Sequence, residues 1–148
     1  MATTTQEPTV DQFHIQMERT FGVDSARLFE AITGEIDAWW FGCSHEGATM
    51  KIEPFVGGRF YEDAGDGRGV LWAHVADYFP GQKLILIGPI GVRKPCQSVV
   101  TFEFEDVDGG CVLRFRHRGA GLMDADYEKD FEGGWNELLD SLAKHVGG

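Results

Sequence analysis

Near the end of the chain, Tyr127, Phe131, Trp135, Leu138, Leu142 and Val146 recur at spacings of 4, 4, 3, 4 and 4 residues. That period places all six on one face of a long amphipathic helix. The stretch before it has no comparable helical pattern and is cut by glycine turns into short extended runs. A sheet built from those runs has an apolar face to cover, and this helix is the only element long enough to cover it. The chain must therefore fold as a sheet closed over one helix. Asp124 and Asp126 at the helix start and Lys144 and His145 at its end suit the helix dipole. Gly133 and Gly134 in its middle oppose it, by about 1 kcal/mol per glycine relative to alanine. Either close approach of the helix backbone to the sheet, or room kept open beside Trp135, must offset that cost.

The extended runs follow a period of two. Phe13, Ile15, Met17 and Phe21 alternate with polar residues, and Arg19 falls on the apolar parity. Asp24 then suits a helix N-cap, Leu28, Phe29 and Ile32 recur at helical spacing, and Gly34 supplies a stop. A second short helical piece spans residues 35–41 and carries Trp39, Trp40 and Phe41. Met50 and Ile52 open the next run, Phe60 the one after, and a glycine-rich loop at 64–67 leads to residues 69–79. In the clearest pair of runs, Ser98, Val100, Phe102 and Phe104 face one way, and Leu113, Phe115 and His117 answer them after a turn at Asp108-Gly109-Gly110. Arg114, Arg116 and Arg118 take the other face, opposite Glu103 and Glu105.

With 24 acidic against 13 basic residues, the formal charge is −11 and the pI about 4.7. A nucleic-acid backbone or an anionic membrane surface needs a basic footprint, so neither is expected as a partner. No apolar run is long enough to span a bilayer, and the first dozen residues have neither the basic start nor the apolar stretch of a secretory signal. They are expected to form a disordered polar tail, 1–12, before one domain at 13–146. Three unpaired cysteines, Cys43, Cys96 and Cys111, suit reduced thiols in a cytoplasm. Cys43-Ser44-His45 offers too few ligands for zinc, and the sequence carries no G-x-S-x-G elbow and no H-E-x-x-H motif. No metal or cofactor is expected.

The order of elements resembles the helix-grip fold of the START-like (SRPBCC) superfamily. Within it, the chain resembles the family similar to the C-terminal domain of the activator of heat-shock-protein-90 ATPase. The residues carrying the likeness are 18–33, 54–61 (PFVGGRFY), 67–75 (GRGVLWAHV) with Pro80 and Leu84, 98–104 (SVVTFEF), 109–117 and 131–142 (FEGGWNELLDSL). One departure is Cys111, where related sequences commonly carry Thr. The resemblance implies an α+β fold, with a curved antiparallel sheet of about seven strands wrapped around the C-terminal helix and two short helices after the first strand. It also implies a cavity for a small hydrophobic or aromatic molecule, with a homodimer or a chaperone partner as open alternatives.

Trp39, Trp40, Phe60, Trp72, Phe102, Phe104, Phe115 and Trp135 are the candidates to line such a cavity, or else to fill the interior completely. His117, inward by parity, could hydrogen-bond a ligand oxygen, act as a general base in a cyclase- or hydrolase-type enzyme, or sit satisfied at the rim. Arg19 could meet an anionic ligand group or simply reach solvent. His74 shares the parity of Trp72, but Leu71 and Val75 make the other face nearly as apolar, so its direction is open. A hydrophobic ligand site typically joins such rings to a few polar groups. No catalytic residue is assigned.

Overall fold

A computed structural model describes residues 9–147. Strand β1 (Thr9–Phe21) is followed by helices α1 (Ser25–Gly34) and α2 (Ile36–Trp39). Six further strands then run in sequence: β2 (Thr49–Ile52), β3 (Arg59–Gly65), β4 (Arg68–Phe79), β5 (Lys83–Gly88), β6 (Cys96–Val107) and β7 (Gly110–Met123). Helix α3 (Tyr127–Val146) ends the fold. The seven strands form one antiparallel sheet in the order β1-β7-β6-β5-β4-β3-β2, the curved sheet and single long helix expected from the pattern. Among the described residues, no helix is long and apolar enough to cross a membrane.

Local chemistry sets the boundaries. The Asp24 carboxylate accepts the Arg27 N–H at 2.8 Å and so caps α1, while Gly147, with φ 86°, closes α3 in the left-handed conformation that glycine takes freely. The β6–β7 hairpin turns at Asp108-Gly109, and its outer face carries ion pairs from Arg114 to Glu105 at 2.8 Å and to Glu18 at 3.3 Å. Strand β1 starts earlier than its apolar alternation. Val10, Asp11 and Gln12, assigned from the sequence to the tail, pair with Leu122, Gly121 and Ala120 of β7. Residues 1–8 of that tail lie outside the described residues.

The core lies between the concave face of the sheet and the three helices. Phe21, Leu28, Phe60, Leu84, Leu113, Phe115, Leu139 and Leu142 are essentially inaccessible there. Inward parity holds along β6 and β7, where Ser98, Val100 and Phe102 face Leu113, Phe115 and His117 across the core side. Strand β4 breaks the alternation. Phe60 pairs with Ala73 but Tyr61 with Leu71, which leaves Trp72 as an extra, bulged residue. Beyond the bulge the parity is reset, so Ala73 and Val75 are buried and His74 points to solvent.

Candidate functional site

Alternation and helical period together bring one group of aromatic rings into contact. Trp40, at the C-cap of α2, stands edge-on to Phe60 of β3, Trp72 of β4 and Trp135 of α3, with ring centroids 5.4, 5.5 and 5.7 Å away. On the other side of Trp135, Phe115 of β7 lies at 4.5 Å and Phe102 of β6 at 6.2 Å. Most of these rings are fully packed. Phe60, Phe102 and Phe115 are core residues, Trp39 donates its indole N–H to the Ala31 carbonyl at 2.9 Å, and Phe104 packs on Phe29 beneath α1. The two alternatives of a filled interior and an open pocket therefore divide between residues: the sheet's centre is filled, and among the described residues a space borders the N-terminal half of the helix beside Trp72 and Trp135.

That space is a small cleft of about 150 Å³ between β4, the β5–β6 loop and α3. Trp72 and Ile90 form the sheet-side wall, and Phe131, Trp135 and Leu138 form the helix-side wall. Gly134 lies on the helix wall, and Asp130 stands one turn toward the N-terminus. A β-carbon added at Gly133 or Gly134 would meet no atom within 4 Å beyond its chain neighbours and the helix's own backbone. Close backbone approach to the sheet is thus set aside for both glycines; Gly133 faces solvent, and only Gly134 borders the open room beside Trp135. Outer grooves such as the one by Arg59, Tyr61 and Leu71 are larger, about 430 Å³, but lie on the β3–β4 surface away from the helix.

Trp72 is held from several sides. Its indole N–H donates to Glu62 Oε1 at 3.1 Å, its carbonyl accepts from Ile90 N at 2.9 Å, and Gly91 packs so close that an added β-carbon would lie 3.1 Å from the ring. Ile90 itself has φ 48°, a left-handed conformation strained for a β-branched residue, and is buried against the cleft. Glu62 is a fully buried acid that the sequence analysis did not single out, although alternation from Phe60 points it inward. Burial by itself raises its carboxyl, but the Ser44 N–H at 2.9 Å, the Ser44 hydroxyl, the Trp72 indole and His45 together hold it below the ordinary value. Glu62 is therefore an ionised acceptor that fixes Trp72 and the 43–45 loop. His45 Nδ1 faces both Ser44 and Glu62, so its second nitrogen is not linked to either, and the three do not form a relay of the Ser-His-acid kind.

His117 is buried as parity requires, and both ring nitrogens are engaged. Nδ1 accepts the Trp135 indole N–H at 2.9 Å, so Nε2 carries the proton and donates to Ser98 Oγ at 2.8 Å. Burial lowers its pKa to about 4, which keeps the ring neutral. The imidazole orients Trp135 and has no free lone pair for a ligand or a substrate proton. Arg19 is tied to Asp140 of α3 at 2.7 Å, a strand-to-helix ion pair at the molecule's edge, and His74 lies on the outer face opposite Arg59. The structure thus brings Trp72 and Trp135 to the cleft and leaves Arg19, His74 and His117 off it. Among the described residues, no three His, Cys, Asp or Glu side chains are grouped to hold a metal ion.

Residues 23–147 match the model of the family described as Activator of Hsp90 ATPase homolog 1-like protein. Solved structures share the fold at low identity. An uncharacterised protein from Rhizobium leguminosarum is 23% identical, with a TM-score of 0.67 over 93% of this chain and 96% of its own. The Mll3558 protein from Rhizobium loti is 23% identical, with a TM-score of 0.70 over 92% and 98%. The solution structure of the Aha1 dimer from Colwellia psychrerythraea is 17% identical, with a TM-score of 0.63 over 88% and 93%. No curated protein matches the chain.

Proposed function

The chain belongs to the Activator of Hsp90 ATPase homolog 1-like family, and from that premise we propose that it binds a small, ring-bearing hydrophobic molecule in the cleft between Trp72 and Trp135. The observation that carries this reading is Gly134. A glycine costs helix stability, nothing packs against it, and the room it leaves belongs to the cleft. Apolar cavities of about 150 Å³ take a benzene-sized ring. The partners of Trp72 and Trp135, Glu62 and His117, fix both walls before a ligand arrives, which lowers the ordering cost of binding. The enzyme alternative loses its main support, because His117 spends both nitrogens on the protein itself.

Titration with toluene, followed by tryptophan fluorescence, tests the proposal. The wild type should show a saturable change, and Gly134→Leu should weaken it at least tenfold while keeping the fold, because its β-carbon meets no neighbouring element within 4 Å and the rest of the side chain extends into the cleft. Equal binding by both proteins would place the ligand elsewhere. Self-association and a chaperone partner are separate proposals suggested by the family and by the Colwellia dimer, and sedimentation of the pure protein tests the first of them.

A further inference from the structure

Resting on the ligand-binding reading above, we propose that Ile90 sets the size of ligand this cleft admits and confines it to a single ring. The β5–β6 loop turns at Pro89-Ile90-Gly91-Val92, where the Val92 N–H donates to the Pro89 carbonyl at 3.0 Å. Both central residues have positive φ, 48° at Ile90 and 79° at Gly91. Turns with two such residues are dominated by Gly, Asn and Asp, because a β-branched side chain crowds its own backbone there. Ile90 occupies the position all the same, and it is only 2% exposed. A strained residue persists where its surroundings over-determine it, and such outliers gather at ligand sites. Here the strain holds a bulky apolar side chain inside, at a position where turn chemistry alone favours a small or polar one.

That side chain stands where two spaces meet. The cleft of about 150 Å³ lies on one side, and a groove of about 450 Å³ along Val92 and Tyr127 lies on the other. Ile90, Asp130 and Phe131 line both. Asp130 is exposed, so the apolar partition consists of Ile90 from the loop and Phe131 from the helix. Phe131 has ring contacts of its own: it stacks on Phe13 at 5.6 Å and meets His117 edge-on at 4.8 Å. Ile90 is tied through its backbone, whose N–H donates to the Trp72 carbonyl at 2.9 Å. Shortening its side chain therefore opens the partition and leaves that tie in place. A second ring that passes this point meets Val92 and Tyr127, apolar surface against which it can be buried.

Para-cresol and para-phenylphenol differ only in a phenyl group where the first carries a methyl, and calorimetric titration measures both affinities. The wild type should bind para-cresol about tenfold or more tightly than para-phenylphenol. Ile90→Ala and Ile90→Gly should each raise the affinity for para-phenylphenol about tenfold or more and change that for para-cresol by less than about threefold. The glycine also suits the positive φ of the turn, so this variant keeps the loop conformation. Ile90→Gly combined with Gly134→Leu should lose the gain, because the longer phenol then has no cleft in which to seat its first ring. Equal wild-type affinities, or a para-phenylphenol affinity that neither Ile90 variant raises, would overturn the size limit while toluene binding keeps the cleft. A double variant that binds para-phenylphenol as tightly as Ile90→Gly would place that ligand in the groove alone and would also overturn it. If neither para-cresol nor toluene binds the wild type, both readings fall together.

Discussion

His117 sits fully buried with a neutral ring, and this fixes one pH dependence of the whole protein. Its folded pKa, about 4, lies below the ordinary value of 6.5, so the unfolded chain takes up the proton first. The stabilising contribution is complete above pH 6.5 and is lost as the pH falls from there through about 4, by up to about 1.4 kcal/mol per unit. Urea unfolding across pH 4–7 should show this slope, and His117→Gln should flatten it while lowering stability at pH 7. Trp135→Ala should cost about 3–5 kcal/mol, because the ring is almost wholly buried and its loss also strands His117 Nδ1. Residues of this kind were partly legible. Strand alternation alone turned His117 inward, since β7 keeps its parity to the end. It did not reveal that Trp135 and Ser98 would consume both nitrogens, because that depends on a rotamer and on a helix 18 residues away. Arg19 shares the inward parity of β1, yet its length lets the guanidinium escape to Asp140 at the edge.

Helix α3 was the most legible element, because its apolar stripe is long and its ends carry the charges that the dipole favours. The glycines in its middle give a test at the element scale. Gly133→Ala should raise stability by about 0.5–1 kcal/mol, since nothing crowds the new methyl and the helix gains a better former. Gly134→Ala should raise it similarly but weaken toluene binding, whereas Gly133→Ala should not. Thermal unfolding and the fluorescence titration separate the two. Strand β4 was less legible. A bulge adds one residue without any composition signal, so the inward and outward sets exchange after Trp72, and His74 ends outside. Glu62 was missed for a related reason: an acid in a strand reads as outward-facing unless its neighbours' parity is enforced against its charge.

At the scale of the molecule, the ends of the fold are tied by a few polar contacts. His145 near the end of α3 and Arg27 of α1 both meet Glu35 at the α1–α2 junction, at 2.6 and 2.7 Å. The hydrogen bonds from Arg27 and His145 hold the Glu35 carboxyl down at about 2, so its contribution is present above pH 4.5 and disappears as the pH falls toward 2. Glu35→Gln should therefore lose stability at neutral pH and show a shallower acid transition below pH 4.5, most of it at lower pH than the His117 window. The sheet order and the enclosing helix follow from pattern and topology. The cleft does not, because it is a local shortfall of side-chain volume at Gly134 and the loop around Ile90, set by three segments far apart in sequence. The most direct measurement is a ¹⁵N–¹H spectrum of the four indole N–H groups during titration with toluene. The Trp72 and Trp135 signals should shift together to saturation while Trp39, bonded to Ala31 deep between the helices, stays fixed. Four unmoved indole signals at saturating toluene would contradict the existence of a binding cleft at this place.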